Sequence, residues 1–298
     1  MVSIDKREWR LLHLHYVCYN NRQMIRQILE QDPALTVYYQ WKSAEWQERL
    51  QLSSERAHHL LQRLNNQDIK EKIVRFARKY QILTIWSPQF PSYLKQIPDP
   101  PLVLYLHGNK SLLQHYPNLS VVGTRYPSRF ARQTMQQVLL PLLKKDILLV
   151  SGMAAGIDGL AHQLALDNHA KTIAVLGGGF QHIYPQKHTT LFHRLAKQNL
   201  IVSEYPPDFS PQKYYFPERN RLISALGFGT LVVEAKEKSG TMITVDQALE
   251  QGKEVFAMPG SILTETSNGC NRLIKDGAKL VQDSMDIWIE VPTIPSFS

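Results

Sequence analysis

The chain has 298 residues, 43% of them hydrophobic, enough for one large core with roughly 50 to 100 residues left for a second, small domain. Its two cysteines, Cys18 and Cys270, stand far apart without metal-ligand spacing, and no run of 18 apolar residues occurs; a disulfide framework, a zinc site, secretion and a membrane span are all unexpected, and a reducing cytoplasm fits best. The net charge of +8 is uneven, since Lys and Arg outnumber Asp and Glu by 15 to 8 over residues 110–240 but are outnumbered 8 to 4 from residue 241 on; such a basic stretch is either a polyanion-binding face or a solvated surface.

Residues 8–31 and 43–64 carry apolar side chains at helical spacing, among them Leu11, Leu12, Leu14, Val17, Ile25 and Ile28, with Pro33 as a stop. They predict a small helical module over residues 1–64. A further helix is expected from Lys70 to Tyr80, then short extended pieces at Ile82 to Trp86 and Leu102 to Leu106, set among prolines.

From residue 118 short runs rich in Val, Ile and Leu alternate with helical segments: Leu119–Val122, Ile147–Val150, Thr172–Leu176, Leu200–Val202, Thr230–Val233 and Glu254–Ala257. This is the pattern of an α/β fold, a mostly parallel sheet with helices on both faces, over residues 65–298. Several of these runs end in glycine turns, at Gly123-Thr124-Arg125, at Ser151-Gly152 through Gly156, and at Gly177 to Gly179. Each turn alone is what any such fold requires; together they mark the edge where ligands of open α/β sheets lie.

After the first of these strands, backbone N–H groups of the turn can face a phosphate, with Arg125 as a forked donor or as a structural arginine closing the turn. The second turn, Ser151 to Gly156, lets backbone approach a ligand closely and feeds a helix whose positive end faces outward. Asp158 and His162 share a face at i, i+4, a spacing that serves an acid–base pair and, more often, a structural one. The stretch Phe216-Pro-Glu-Arg219-Asn220-Arg221 gathers donors beside an aromatic ring, which suits a single-stranded nucleic acid; Phe216 is equally suited to the core. Lys238, Ser239, Gly240 and Thr241 form another anion-friendly loop, and Lys171 and Lys213 extend the basic track or are solvated. No P-loop, no complete dinucleotide fingerprint and no metal motif is present, so no catalytic residue, metal or cofactor is expected.

Taken together, these motifs resemble the bacterial DNA processing protein A family (DprA, also called Smf) from about Leu102 to Leu280. The resemblance rests on Val-Val-Gly-Thr-Arg (121–125), Ser-Gly-Met-Ala-Ala-Gly-Ile-Asp-Gly-Leu-Ala-His (151–162), Ser-Glu-Tyr-Pro-Pro (203–207), Phe-Pro-Glu-Arg-Asn-Arg-Leu-Ile (216–223), Phe-Ala-Met-Pro-Gly (256–260) and Asn-Gly-Cys-Asn (268–271). It implies an extended Rossmann-like domain that binds single-stranded DNA, preceded by a SAM-like helical domain. It further implies a homodimer that loads RecA onto incoming DNA coated with single-strand-binding protein during natural transformation. By this resemblance Arg125 contacts phosphate and Lys171, Arg219, Asn220 and Arg221 line the DNA groove, while Leu273, Ile274 and Leu280 are where self-association or RecA contact is sought. Thr124 stands where serine is common, which keeps the hydroxyl. The chain stops soon after Trp288, so the winged helix of some relatives is not expected. The rival reading is an enzyme related to nucleoside-monophosphate phosphoribohydrolases, or a cofactor carrier on a similar sheet. Those hydrolases carry a Pro-Gly-Gly-x-Gly-Thr-x-x-Glu loop, whereas here Gly240-Thr241 is followed by Thr244 and no Pro-Gly-Gly precedes it.

Overall fold

The computed structural model describes residues 5–293. Five helices come first: α1 (Lys6–Val17), α2 (Arg22–Gln31), α3 (Ser43–Leu50), α4 (Ser54–Asn65) and α5 (Gln67–Lys79). The two long helical stretches expected over 8–31 and 43–64 are each broken in the middle. Tyr19 and Asn20 take left-handed backbone conformations, at φ 53° and 57°, and the Asn21 side chain accepts from the Met24 N–H to start α2. At the second break Gln51 is left-handed and the Ser53 hydroxyl caps α4. Apolar periodicity runs through both breaks, so it does not reveal them; the capping side chains do.

The remaining elements are β1 (Gln81–Thr84), α6 (Ser92–Lys95), β2 (Val103–Gly108), β3 (Asn118–Val122), α7 (Ala131–Lys144), β4 (Leu148–Ser151), α8 (Ile157–Asp167), β5 (Thr172–Leu176), α9 (Thr189–Gln198), β6 (Leu200–Ser203), α10 (Tyr215–Leu226), β7 (Gly229–Val232), α11 (Gly240–Glu250), β8 (Glu254–Ala257), α12 (Glu265–Lys275), β9 (Lys279–Leu280) and α13 (Met285–Trp288). They build one nine-stranded sheet in the order β1-β2-β6-β5-β4-β3-β7-β8-β9. From β6 to β9 every pair is parallel; β2 joins β6, and β1 joins β2, antiparallel. The expected α/β architecture is therefore present, with an antiparallel edge made by the two extended pieces near residues 82 and 102.

Alternate strand residues feed opposite faces. Leu119, Val121, Leu149 and Leu231 pack with α7 and α8, whereas Val122, Leu148, Val150 and Val232 pack with α10 and α11. Burial on both faces explains why these strands read as continuous apolar runs rather than as a polar–apolar alternation. Chain order runs outward from β3 to β6 on one side and from β7 to β9 on the other, so the sheet has its switch point between β3 and β7. Helix α10 carries the chain across that point.

The N-terminal helices share an apolar cluster with β2, β5 and α9 that includes Leu14, Tyr16, Phe76, Tyr105, Ala174 and Leu195. A polar network adds to this docking. Arg22 bonds Asp99 at 2.8 Å and Glu218 at 3.2 Å, Arg26 bonds Asp99 at 2.7 Å, and Arg221 bonds both Asp99 at 3.0 Å and the buried Glu204 at 2.7 Å. Elsewhere the Tyr16 hydroxyl donates to Asp208 at 2.8 Å, beside Lys72. Among the described residues no helix is long and apolar enough to cross a membrane.

Candidate nucleic-acid interface

The carboxyl ends of β5, β4, β3 and β7 lie side by side, and the glycine turns read from the sequence all open onto this one edge. The turns are held by their own chemistry. The Thr124 hydroxyl accepts from the Tyr126 N–H, and Glu234, beyond β7, accepts from both the backbone and the hydroxyl of Ser128 at 2.8 and 2.6 Å. Gly156 sits at φ +80°, and a Cβ there would stand 2.2 Å from the Thr124 carbonyl oxygen, so only glycine lets the second turn pass beneath the first.

Asp158 and His162 do not form an acid–base pair. The Asp158 carboxylate accepts from the N–H groups of Gly152, at 3.1 Å, and Ala154, fixing the turn from inside the first turn of α8. Burial pushes its pKa up, against the pull of Arg219 and those amides. His162 bonds the Thr172 hydroxyl at 2.8 Å, and burial lowers its pKa to about 3, so it is a neutral core side chain. Ser151 is likewise structural, its hydroxyl donating to the Val121 carbonyl.

Arg219 projects from α10 beneath the sheet edge. Its Nη1 donates to the carbonyls of Gly152, at 2.7 Å, and Val175, and its Nε donates to the Asn220 side chain at 3.1 Å. A Cβ on Gly152 would stand 2.5 Å from this guanidinium, so the glycine makes the room through which it passes. Burial lowers the pKa of Arg219 to about 10, which leaves it charged at neutral pH. It makes no ion pair with a carboxylate among the described residues, and Nη2 has no acceptor there. A buried cation held by neutral carbonyls with one free donor is a seat for an anion.

That seat opens into a pocket of about 50 Å³ lined by Arg125, Ala154, Ala155, Gly177, Gly178, Tyr184, Phe216 and Arg219, among others. Phe216 is half-buried and lies along the pocket; the exposed Arg125 stands 6.0 Å from its ring centre and the Tyr184 ring 5.5 Å from it. A Cβ on Gly177 would come within 2.9 Å of the Phe216 ring, so this glycine seats the aromatic. Tyr184 did not figure among the candidate site residues. Its signal was available, as an aromatic in the loop after a glycine-rich strand end.

Two expected groove residues lie elsewhere. Arg221 is two positions from Arg219, and on a helix that places it on the opposite side, where it is consumed by Asp99 and Glu204. Lys171 precedes β5, so it stands at the amino edge of the sheet, about 20 Å of strand from Gly177, paired with Asp146 at 2.7 Å. Asn220 orients the Arg219 guanidinium. Lys238, Ser239, Gly240 and Thr241 begin α11 on the correct edge, beside the Gly123 to Arg125 turn through Glu234, but do not line the pocket. Leu273 and Ile274 are partly buried against the sheet cluster, and Leu280 is exposed on the edge strand β9.

The sequence profile of the DNA recombination-mediator protein A family matches residues 81–292. The chain belongs to this family. It is 44% identical to the DNA processing protein DprA of Bacillus subtilis over 70% of this chain and 71% of that one, and 41% identical to its Streptococcus pneumoniae counterpart over 72% and 75%. The crystal structure of DNA processing protein A from Streptococcus pneumoniae superposes on 98% of the chain, covering 100% of its own length, with a TM-score of 0.83 at 33% identity. The Helicobacter pylori DNA processing protein A, described for its single-stranded DNA binding mode, superposes on 71% of the chain and 95% of its own length, with a TM-score of 0.63 at 30% identity. The family match covers the carboxyl edge, the glycine turns and α10, where the pocket is built.

Proposed function

We propose that this protein binds single-stranded DNA along the carboxyl edge of its sheet and acts as a recombination mediator rather than an enzyme. The observation that carries the reading is Arg219, a buried cation that makes no direct ion pair among the described residues, with Asp158 acting on it only through space, opening beside the Phe216 ring. Phosphate with an adjacent base is the ligand that uses both. The exposed Lys213, just before α10, adds positive charge to this edge. Gly123, Thr124, Gly152 and Gly156 shape the backbone, Arg125 and Lys213 reach the strand from its solvent side, and Lys238 to Thr241 continue the edge towards β7. No carboxylate lines the pocket among the described residues, which disfavours the phosphoribohydrolase reading.

In this account residues 1–64 and 65–298 are the two domains, and the protein works in the cytoplasm as a homodimer that passes DNA from single-strand-binding protein to RecA. Relationship to the recombination-mediator family supports the transfer step, and the exposed Leu280 on an unpaired sheet edge supports self-association. Light scattering of the pure protein should give a dimer mass, and its addition to coated single strands should speed RecA filament growth. A strict monomer that leaves filament growth unchanged would overturn the mediator role and leave the binding site to be judged separately.

A further inference from the structure

A second concavity, of about 1030 Å³, lies between the N-terminal helices and the first turn of α10. One wall carries a stack in which Arg63 covers Tyr19 at 3.8 Å and the His59 ring lies parallel to Tyr19, within 1° at 6.2 Å. Tyr19 is 46% exposed although it sits on left-handed backbone, a conformation that costs an aromatic residue energy and here holds the ring out from the α1–α2 corner. The facing wall is Tyr214, 60% exposed, edge-on to Tyr215, which stacks on Tyr205 at 3.8 Å. The acids of the floor, Asp99 and Glu218, are neutralised by Arg22 and Arg26, and on the helical wall Glu55 and Arg56, neither in an ion pair among the described residues, offset one another in charge.

Tyr214 and Phe216 lie on opposite sides of the start of α10, Tyr214 lining the second concavity and Phe216 the first pocket. We infer that the strand held at Phe216 wraps around this helix end and continues into the cleft, where bases stack on Tyr214 and on the Tyr19–His59 pair. The helical module thus becomes the second half of the DNA interface. This rests on the single-strand reading of the Phe216 pocket. Because the floor is charge-balanced, stacking rather than phosphate neutralisation supplies the contact, so the cleft extends the footprint without steepening the salt dependence.

Binding of oligothymidylates of about six and about twenty nucleotides tests the inference. The Tyr19→Ala/His59→Ala variant, altered only on the helical wall, should bind the longer strand about tenfold more weakly, with an unchanged salt slope, and the shorter one as the wild type does. Tyr214→Ala on the opposite wall should give the same length-dependent loss. Equal affinity of variants and wild type for the longer strand, or equal losses on both lengths, would overturn it. Failure of the wild type to bind either length would instead remove the Phe216 site on which it rests.

Discussion

Arg219→Ala should weaken single-strand binding about 10- to 100-fold, the worth of a charge-assisted hydrogen bond to phosphate at about 1.5–3 kcal/mol. The guanidinium is preorganised: two carbonyls and the Asn220 side chain fix its plane, and Gly152 leaves it room, so little side-chain entropy is lost when the phosphate arrives. Arg219→Lys keeps the charge but not the fork, and should fall between wild type and alanine. Truncation also frees two buried carbonyls, so affinity is to be measured by fluorescence anisotropy below the melting temperature of each variant. An alanine variant that stays folded and binds with wild-type affinity would remove Arg219 from the site.

Arg221→Ala should have the reverse profile, a large loss of stability with DNA affinity retained while the protein is folded. Glu204 is 1% exposed and has Arg221 at 2.7 Å, with Arg22 only at 3.9 Å; removing Arg221 strands most of a buried charge. Breaking such a pair costs about 3–5 kcal/mol, a fall of roughly 10 °C in Tm for a chain of this size. The same network gives a pH signature. Burial alone would push the Asp99 pKa up, but Arg221, Arg22 and Arg26 outweigh it and hold the group at about 2 instead of 3.8. A carboxylate depressed in the folded state contributes stability that is complete above the unfolded pKa and is lost as pH falls through the folded one. Wild-type Tm should therefore drop between about pH 4 and pH 2 through this group, and in Arg221→Ala that component should shrink. Equal melting temperatures for the two proteins at neutral pH would contradict this role for Arg221.

The sheet was legible because its strands are buried on both faces and interrupted by glycine turns, a pattern that depends on local sequence alone. The working edge was legible for the same reason, since Gly123, Gly152 and Gly177 all follow strands. Roles of individual cations were harder. Arg219 and Arg221 look alike in sequence, yet a helix sends residues two apart to opposite sides, and only the partners Asp99 and Glu204, about 120 and 17 positions away, fix which one is spent. Lys171 precedes a strand, which by itself puts it on the amino edge of a parallel sheet. The resemblance implies a groove lysine at Lys171, and Lys213, just before α10, is the lysine that the sequence places beside Phe216. The cleft of Tyr19 and Tyr214 was invisible because it is formed by segments nearly 200 residues apart and depends on a helix break that periodicity conceals.

The central claim is that a polyanionic strand is held at the carboxyl edge by Arg125, Arg219 and Phe216. It is tested most directly by the affinity for a single-stranded oligonucleotide at several salt concentrations, for the wild type and for Arg125→Ala. The wild type should lose affinity steeply as salt rises, and the variant should bind more weakly with a log–log slope shallower by about 0.7, one phosphate contact fewer. A variant whose curve overlays that of the wild type at every salt concentration, or a wild type that binds no single strand at all, would contradict it.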